Sequence, residues 1–284
     1  MSAETNHPIN QTAMSRVGDL AVLPQVVFKI VEMTGVEDSS AAEIERAIVV
    51  DPGFSAKVLQ QSNSAFYALP RKVTSIKDAV MFLGLKSVRQ IAMNVGVFDL
   101  FVGKTDAESL RRRAWWRLSI DTAIAASTFA QKSKRANPEE AYTCGLLHLI
   151  GRTLLDRAEA QNFDTVQALI QHGADEEQAE RAVYGSSHIE VSVAAAMKWG
   201  FPAVLISGLD YRRPLEPDDP AAGLRASVTL GHWFATRLQS SSEFDSEQPP
   251  EWVFAALGTG PESLNDWFDA ATGACANAAK QGMG

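Results

Sequence analysis

What this chain can fold into is limited most by its helix punctuation. Asp51-Pro52 ends one apolar-periodic segment, because the residue before a proline is pushed out of the α region. The same pair starts the next segment, because Asp caps a helix and Pro suits its first position. Such signals recur through the first hundred residues at intervals of roughly ten to fifteen residues, and the alternation of a half-buried strand is missing. Pro24 leads Val27, Ile30 and Val31 toward a stop at Gly35. Ser39 or Ser40 caps a stripe of Ile44, Ala47 and Ile48, and Phe54, Val58 and Leu59 follow at helical spacing. Ser75 with Asp78 reads as a capping box that closes at Gly84, and Val88, Ile91, Val95 and Phe98 form the next face.

The second half repeats this with longer helices: 106–132, 138–158, 163–172, 175–184, 188–199 and 202–211. A proline-rich break, PLEPDDPAAG, precedes a helix over LRASVTLGHWFATRL, and SSSEFDSEQPP leads to two short helices, EWVFAAL and PESLNDWFDAATGACANAAK. The expected class is all-α, with two packed helical lobes. Residues 1–19 are expected to be a flexible tail, 20–240 the main domain and 241–284 a loop with short helices. The polar stretch VGKTDA divides the main domain into lobes of 20–101 and 106–240.

At 284 residues and 46% hydrophobic the chain can bury a large core. Its net charge of -8 opposes binding to phosphate backbones, so no nucleic-acid partner is expected. Arg111-Arg112-Arg113 beside Trp115-Trp116 reads either as a nucleic-acid patch or as a helix start with a solvated basic face; the net charge favours the second. Two distant cysteines, Cys144 and Cys275, fit a reducing cytoplasm, and Cys144 reads as inert core. No segment has the roughly 18 apolar residues of a membrane helix, and the first residues lack a secretory signal, so a cytoplasmic protein without membrane insertion is expected.

Several of these stretches together resemble a known family. The Asp51-Pro52 turn, Asn63-Ser64-Ala65-Phe66-Tyr67, Thr74-Ser75-Ile76 and Leu83-Gly84, followed by WWRLSIDTAIAA, GLLHLIG and HIEVSVAAAMKWGFP, resemble the HDOD family. This is a bacterial signalling module related to the HD metal-dependent phosphohydrolases. The resemblance spans about residues 20–240. It implies an all-α fold and a regulatory or output role in signal transduction.

The HD enzymes hold divalent ions through a first histidine, a His-Asp pair and a later aspartate, because such cations need several imidazole and carboxylate ligands. By the resemblance, the first position carries Leu118, the pair is His148-Leu149, and the late aspartate is His232. The expectation is therefore no catalytic residue, no bound metal and no cofactor, with His148 a core histidine hydrogen-bonded to backbone. One alternative is a residual phosphohydrolase in which His148, His188 and His232 converge on one ion. Another is a regulator that binds a cyclic dinucleotide through Arg212 and Arg213, against which stands pairing of these arginines with the acids of LEPDD.

The leading expectation is a non-catalytic adaptor that works through protein partners in a bacterial signalling pathway. Its candidate contact edge is the loop of Asn63, Ser64, Phe66, Tyr67 and Arg71. The plainer reading has Phe66 and Tyr67 filling the joint between lobes while Asn63 and Ser64 cap backbone groups.

Overall fold

The structure is a computed structural model that describes residues 23–33, 41–64, 67, 69, 71–240 and 248–280. Every regular element among the described residues is helical. The first group comprises α1 (Gln25–Glu32), α2 (Ala41–Val49), α3 (Pro52–Ser62), α4 (Ile76–Leu83) and α5 (Leu85–Phe98). Then come α6 (Asp106–Ser133), α7 (Pro138–Leu147), α8 (Ile150–Ala158), α9 (Phe163–Gln171), α10 (Glu176–Tyr184), α11 (His188–Lys198), α12 (Ala203–Leu209) and α13 (Ala222–Gln239). Two more, α14 (Glu251–Leu257) and α15 (Leu264–Lys280), close the chain. The expected tail, Gly35, Ser39, Ser40, Phe66 and Pro70 lie outside the described residues.

The caps act as their chemistry requires. The Asp51 carboxylate accepts from the backbone N–H of Gly53 and Phe54, and Ser75 Oγ accepts from Asp78 N–H. The full reciprocal box is made by Ser187 and Glu190 at the start of α11. On α5 the buried stripe runs through Val88, Ile91, Ala92 and Val97. Phe98, expected on that face, is 40% exposed and lays its ring edge against Trp116.

The long α6 is the axis of the molecule, packed against α7, α13 and α15. Glycines let the backbones approach it: a Cβ on Gly145 of α7 would lie 2.6 Å from Ala123 Cα, and one on Gly231 of α13 would lie 2.9 Å from Thr122 O. Those two contacts bring the residues that follow them, His148 and His232, onto the same stretch of α6.

One hydrophobic core runs from Leu23 through both lobes to Val228. The lobes are joined by Phe98 and Phe101 packed on Trp116 and by the Tyr142 hydroxyl, which donates to Asn94 Oδ1 at 2.9 Å. A second core unites α6 and α13 with α14 and α15 through Phe129, Phe234, Trp267 and Phe268. The last helix, expected to be short, runs 17 residues and packs along α6.

The 138–158 segment, expected as one helix, is two. It breaks at His148-Leu149, where His148 turns its ring back onto the Gly145 carbonyl and Ser192 of α11 meets the His148 carbonyl. The basic face expected at Arg111–Arg113 is also different. Arg111 and Arg112 both pair with Asp156, at 2.8 and 2.6 Å, and Arg112 is buried; Arg113 remains exposed. Trp115 and Trp116 lie in the core.

Candidate functional site

The break between α7 and α8 places His148 at the centre of a polar cluster inside the second lobe. His148 is fully buried. Its Nδ1 lies 2.6 Å from the Gly145 carbonyl oxygen, which can only accept, so Nδ1 carries the proton. Nε2 is then the acceptor for the Nδ1–H of His232, 2.9 Å away. Both nitrogens of His148 are thus used by the protein. Burial pushes its pKa well below the ordinary histidine value, and the neighbouring His232 adds to the effect. His232, partly buried on α13, is pushed down to about 3 by burial and by the Arg212 guanidinium.

The third histidine, His188, is held apart. The buried Tyr211 ring contacts all three imidazoles, with centroids 5.2 Å from His148, 5.2 Å from His232 and 6.5 Å from His188. His188 Nδ1 donates to Glu180 Oε2 at 2.6 Å, its backbone N–H donates to the same oxygen at 2.7 Å, and its Nε2 is 3.3 Å from the Tyr211 hydroxyl. The three rings therefore do not converge on one point. Among the described residues no group of three or more His, Cys, Asp or Glu side chains is arranged to hold a metal ion.

Charge in the cluster is balanced by arginines. Arg152, one turn beyond His148 on α8, pairs with Glu176 and lies 3.5 Å from Glu180 through Nε. Arg212 pairs with Glu176 at 3.1 Å and with Asp175 at 3.8 Å. Burial alone would raise both glutamates, but Arg152 and His188 hold Glu176 and Glu180 below the ordinary carboxylate range. Arg213 reaches Asp210 at 3.3 Å and Glu190 at 3.8 Å. The acids that engage this arginine pair come from α10, α11 and Asp210 rather than from LEPDD.

Ser192 ties the parts together. Leu149 offers no side-chain cap to α8, so Gly151 N–H is an orphan donor, and Ser192 Oγ accepts from it at 2.9 Å. A Cβ on Gly151 would lie 1.9 Å from the His188 carbonyl oxygen, which is why α8 and α11 can be this close. The same hydroxyl faces the His188 and His148 carbonyls at 2.9 and 3.1 Å.

Leu118 is half-buried against the main core, and Leu149 is fully buried within it. At the first-histidine and aspartate positions that the resemblance implies, these two side chains offer aliphatic carbon and no donor atom.

The contact edge inferred from sequence is largely tied inward. Asn63 Nδ2 donates to the Leu59 and Val73 carbonyls at 2.9 and 2.8 Å, and Asn63 Oδ1 accepts from Val73 N–H at 2.8 Å. The Ser64 carbonyl accepts from Tyr67 N–H. Tyr67 is partly buried against the core, and burial pushes its hydroxyl up to about 12. Arg71 is exposed and sits over the Phe82 ring at 5.3 Å.

The HDOD domain model matches residues 20–213, more than half of the chain. The chain belongs to the HDOD family. A solved HDOD domain protein of Geobacter sulfurreducens shares its fold, with a TM-score of 0.71 at 22% identity, covering 93% of this chain and 98% of that one. A provisionally named phosphohydrolase of Shewanella amazonensis gives 0.72 at 24%, covering 95% and 97%. A provisionally named signal transduction protein of Marinobacter aquaeolei gives 0.74 at 21%, covering 96% of this chain and 64% of its own. An uncharacterized protein of Treponema pallidum is 23% identical over 204 residues, and this chain spans 39% of its length. No helix of this HDOD protein, among the described residues, is long and apolar enough to cross a membrane.

Sequence reasoning does not single out Tyr211, Arg152, Ser192, Glu176 or Glu180. Two signals are present: Glu176 and Glu180 are spaced i,i+4 on one helix face, and Arg152 stands i+4 from His148. Tyr211 follows a helix end and has no periodic signal.

Proposed function

We propose that this HDOD protein is a non-catalytic regulator of bacterial signal transduction in the cytoplasm that acts through contacts with protein partners. The observation that carries the reading is the commitment of His148. One ring nitrogen donates to Gly145, the other accepts from His232, and Leu149 occupies the place of a ligating aspartate. To ligate an ion, His148 would have to give up the hydrogen bond that its Nε2 lone pair accepts from His232, and Leu149 offers no carboxylate to offset the ion's charge; without an ion the fold has no hydroxide to deliver to a phosphoester. The signal-transduction name borne by the Marinobacter neighbour accords with this reading. The proposed contact face includes the exposed Arg71 and Phe82, the arginine lying over the phenyl ring, and the exposed Met81 of the same helix as Phe82.

The second reading, a residual phosphohydrolase, draws on the name of the Shewanella neighbour and on the grouping of His148, His188 and His232. Phosphomonoester and cyclic dinucleotide hydrolysis, measured with Mn, Mg, Zn and Fe(II) each supplied, separates the two. The regulator reading expects no turnover above a metal-only control. Turnover that His148→Ala abolishes would overturn it. Cyclic dinucleotide titration followed by calorimetry is expected to give no saturable heat, because Arg212 and Arg213 already face carboxylates.

A further inference from the structure

Between Val58 and Lys86 the sequence carries four cations, Arg71, Lys72, Lys77 and Lys86, and one acid, Asp78, in a chain of net charge -8. All four cations are exposed. Asp78 is half-buried in the first turn of α4, where a carboxylate answers the helix dipole. The same stretch exposes two large apolar side chains, Met81 at 66% and Phe82 at 37%. Lys77 stands i,i+4 from Met81 on α4, and the Arg71 guanidinium lies over the Phe82 ring at 5.3 Å. Cations therefore border both apolar groups. The Asn63 side chain accepts from Val73 N–H and donates to the Val73 carbonyl, so the backbone that carries Arg71 and Lys72 is anchored beside them.

We propose that this face takes an acidic peptide segment of a protein partner, with carboxylates on the four cations and an apolar anchor on Met81 and Phe82. The inference rests on the adaptor reading above and adds the chemistry of its partner. Met81 and Phe82 supply the apolar area that leaves water, and a methionine adapts to anchors of varied shape. The cations supply direction. A chain that is otherwise negative repels an acidic segment over most of its surface and draws it to this one place. The Asn63 anchor and the seat of Arg71 on Phe82 reduce the ordering that binding would cost. Charge also separates a peptide from a lipid surface. The helix α2, packed against α4, carries Glu43 and Glu45 as well as Arg46. A plane of anionic lipid would meet those carboxylates and the acidic remainder of the chain, whereas a single segment lying on α4 meets the cations.

The test is fluorescence anisotropy of labelled peptides titrated with the full chain. The probes are a peptide of repeated Glu-Glu-Leu-Leu and its Gln-Gln-Leu-Leu and Lys-Lys-Leu-Leu versions, with phosphatidylglycerol vesicles read by co-sedimentation. The chain is expected to bind the Glu-Leu peptide saturably, at least about tenfold more tightly than the Gln-Leu peptide, and to lose affinity as NaCl is raised. Lys72→Glu with Lys77→Glu is expected to weaken binding at least about tenfold, and Met81→Ser about threefold or more. Both variants are expected to melt as wild type does, because the replaced side chains are exposed. Arg113→Glu, which reverses an exposed cation on α6, is expected to bind as wild type. Equal binding of the Glu-Leu and Gln-Leu peptides overturns the proposal, as does binding that both patch variants retain. Vesicle binding that these variants abolish, with the peptide unbound, also overturns it and makes a lipid surface the occupant. Binding of the Lys-Leu peptide alone overturns the acidic partner and leaves the adaptor reading standing. No binding of any peptide overturns the proposal together with the contact face on which it rests.

Discussion

Replacing Ser192 by alanine removes one oxygen from the seam between α8 and α11, and the structure sets the size of the effect. That oxygen is the acceptor for Gly151 N–H at 2.9 Å, in a helix start that has no other side-chain cap. Losing it leaves a buried N–H without a partner, which costs about 1–3 kcal/mol. The His148 carbonyl loses its hydroxyl neighbour at 3.1 Å as well. Against this, alanine is the better helix former by up to about 0.5 kcal/mol. The cost of the orphaned donor outweighs that gain, so Ser192→Ala is expected to lower stability by about 0.5–2.5 kcal/mol. Urea denaturation followed by far-UV circular dichroism reads this as a lower midpoint with an unchanged slope. Thr236→Ala serves as the control, since that exposed hydroxyl bonds only to the carbonyl one turn back in its own helix, at 2.8 Å. If Ser192→Ala costs no more than Thr236→Ala, the hydroxyl does not hold the seam and the explanation for the α7–α8 break fails.

Two further outcomes follow from buried charge. Asp156→Ala removes the carboxylate shared by Arg111 and Arg112; Arg112, 2% exposed, keeps Glu108 at 3.3 Å, so the cost is expected toward the lower end of about 3–5 kcal/mol in the same denaturation assay; a loss below about 1 kcal/mol would refute the pairing. Acidification should destabilise the chain through its histidines. His232 is held at about 3 when folded, against 6.5 for a free imidazole, so the unfolded chain binds the extra proton between those values and stability falls as pH falls through that window. His232 alone contributes a loss of about 2 kcal/mol between pH 7 and pH 5, and His148, shifted the same way, adds to it. Stability that stays flat from pH 7 to 5 in wild type, or that falls equally in His232→Asn, would contradict the neutral pair.

Much of this architecture can be read from residue order, because caps and prolines act locally. Asp51, Ser75, Asn137 and Ser187 each accept from the N–H groups that their chemistry predicts. That Leu118 and Leu149 bring no donor atom is likewise legible without the structure, since an aliphatic side chain has none wherever it points; that these are the ligand positions is what the family resemblance implies. What lies beyond local reading is partnership across distance. His148 finds His232 84 residues away, and Arg111 and Arg112 find Asp156 across more than forty. No periodicity encodes such pairings, so an arginine run that looks like a solvated face is instead half buried. Tyr211 escapes notice for the same reason: it becomes central only when α8, α11 and α13 meet around it.

The central claim is that the imidazoles of this site are engaged by the protein and closed to metal. The most direct test is a histidine-selective 15N NMR titration of the wild-type chain with Zn(II), following the five histidines individually. The account predicts that at one equivalent the ring nitrogens of His148 and His188 keep their shifts and their neighbour-bonded tautomers, whatever the exposed His172 does. Joint movement of the His148, His188 and His232 ring nitrogens toward metal-bound values would contradict it.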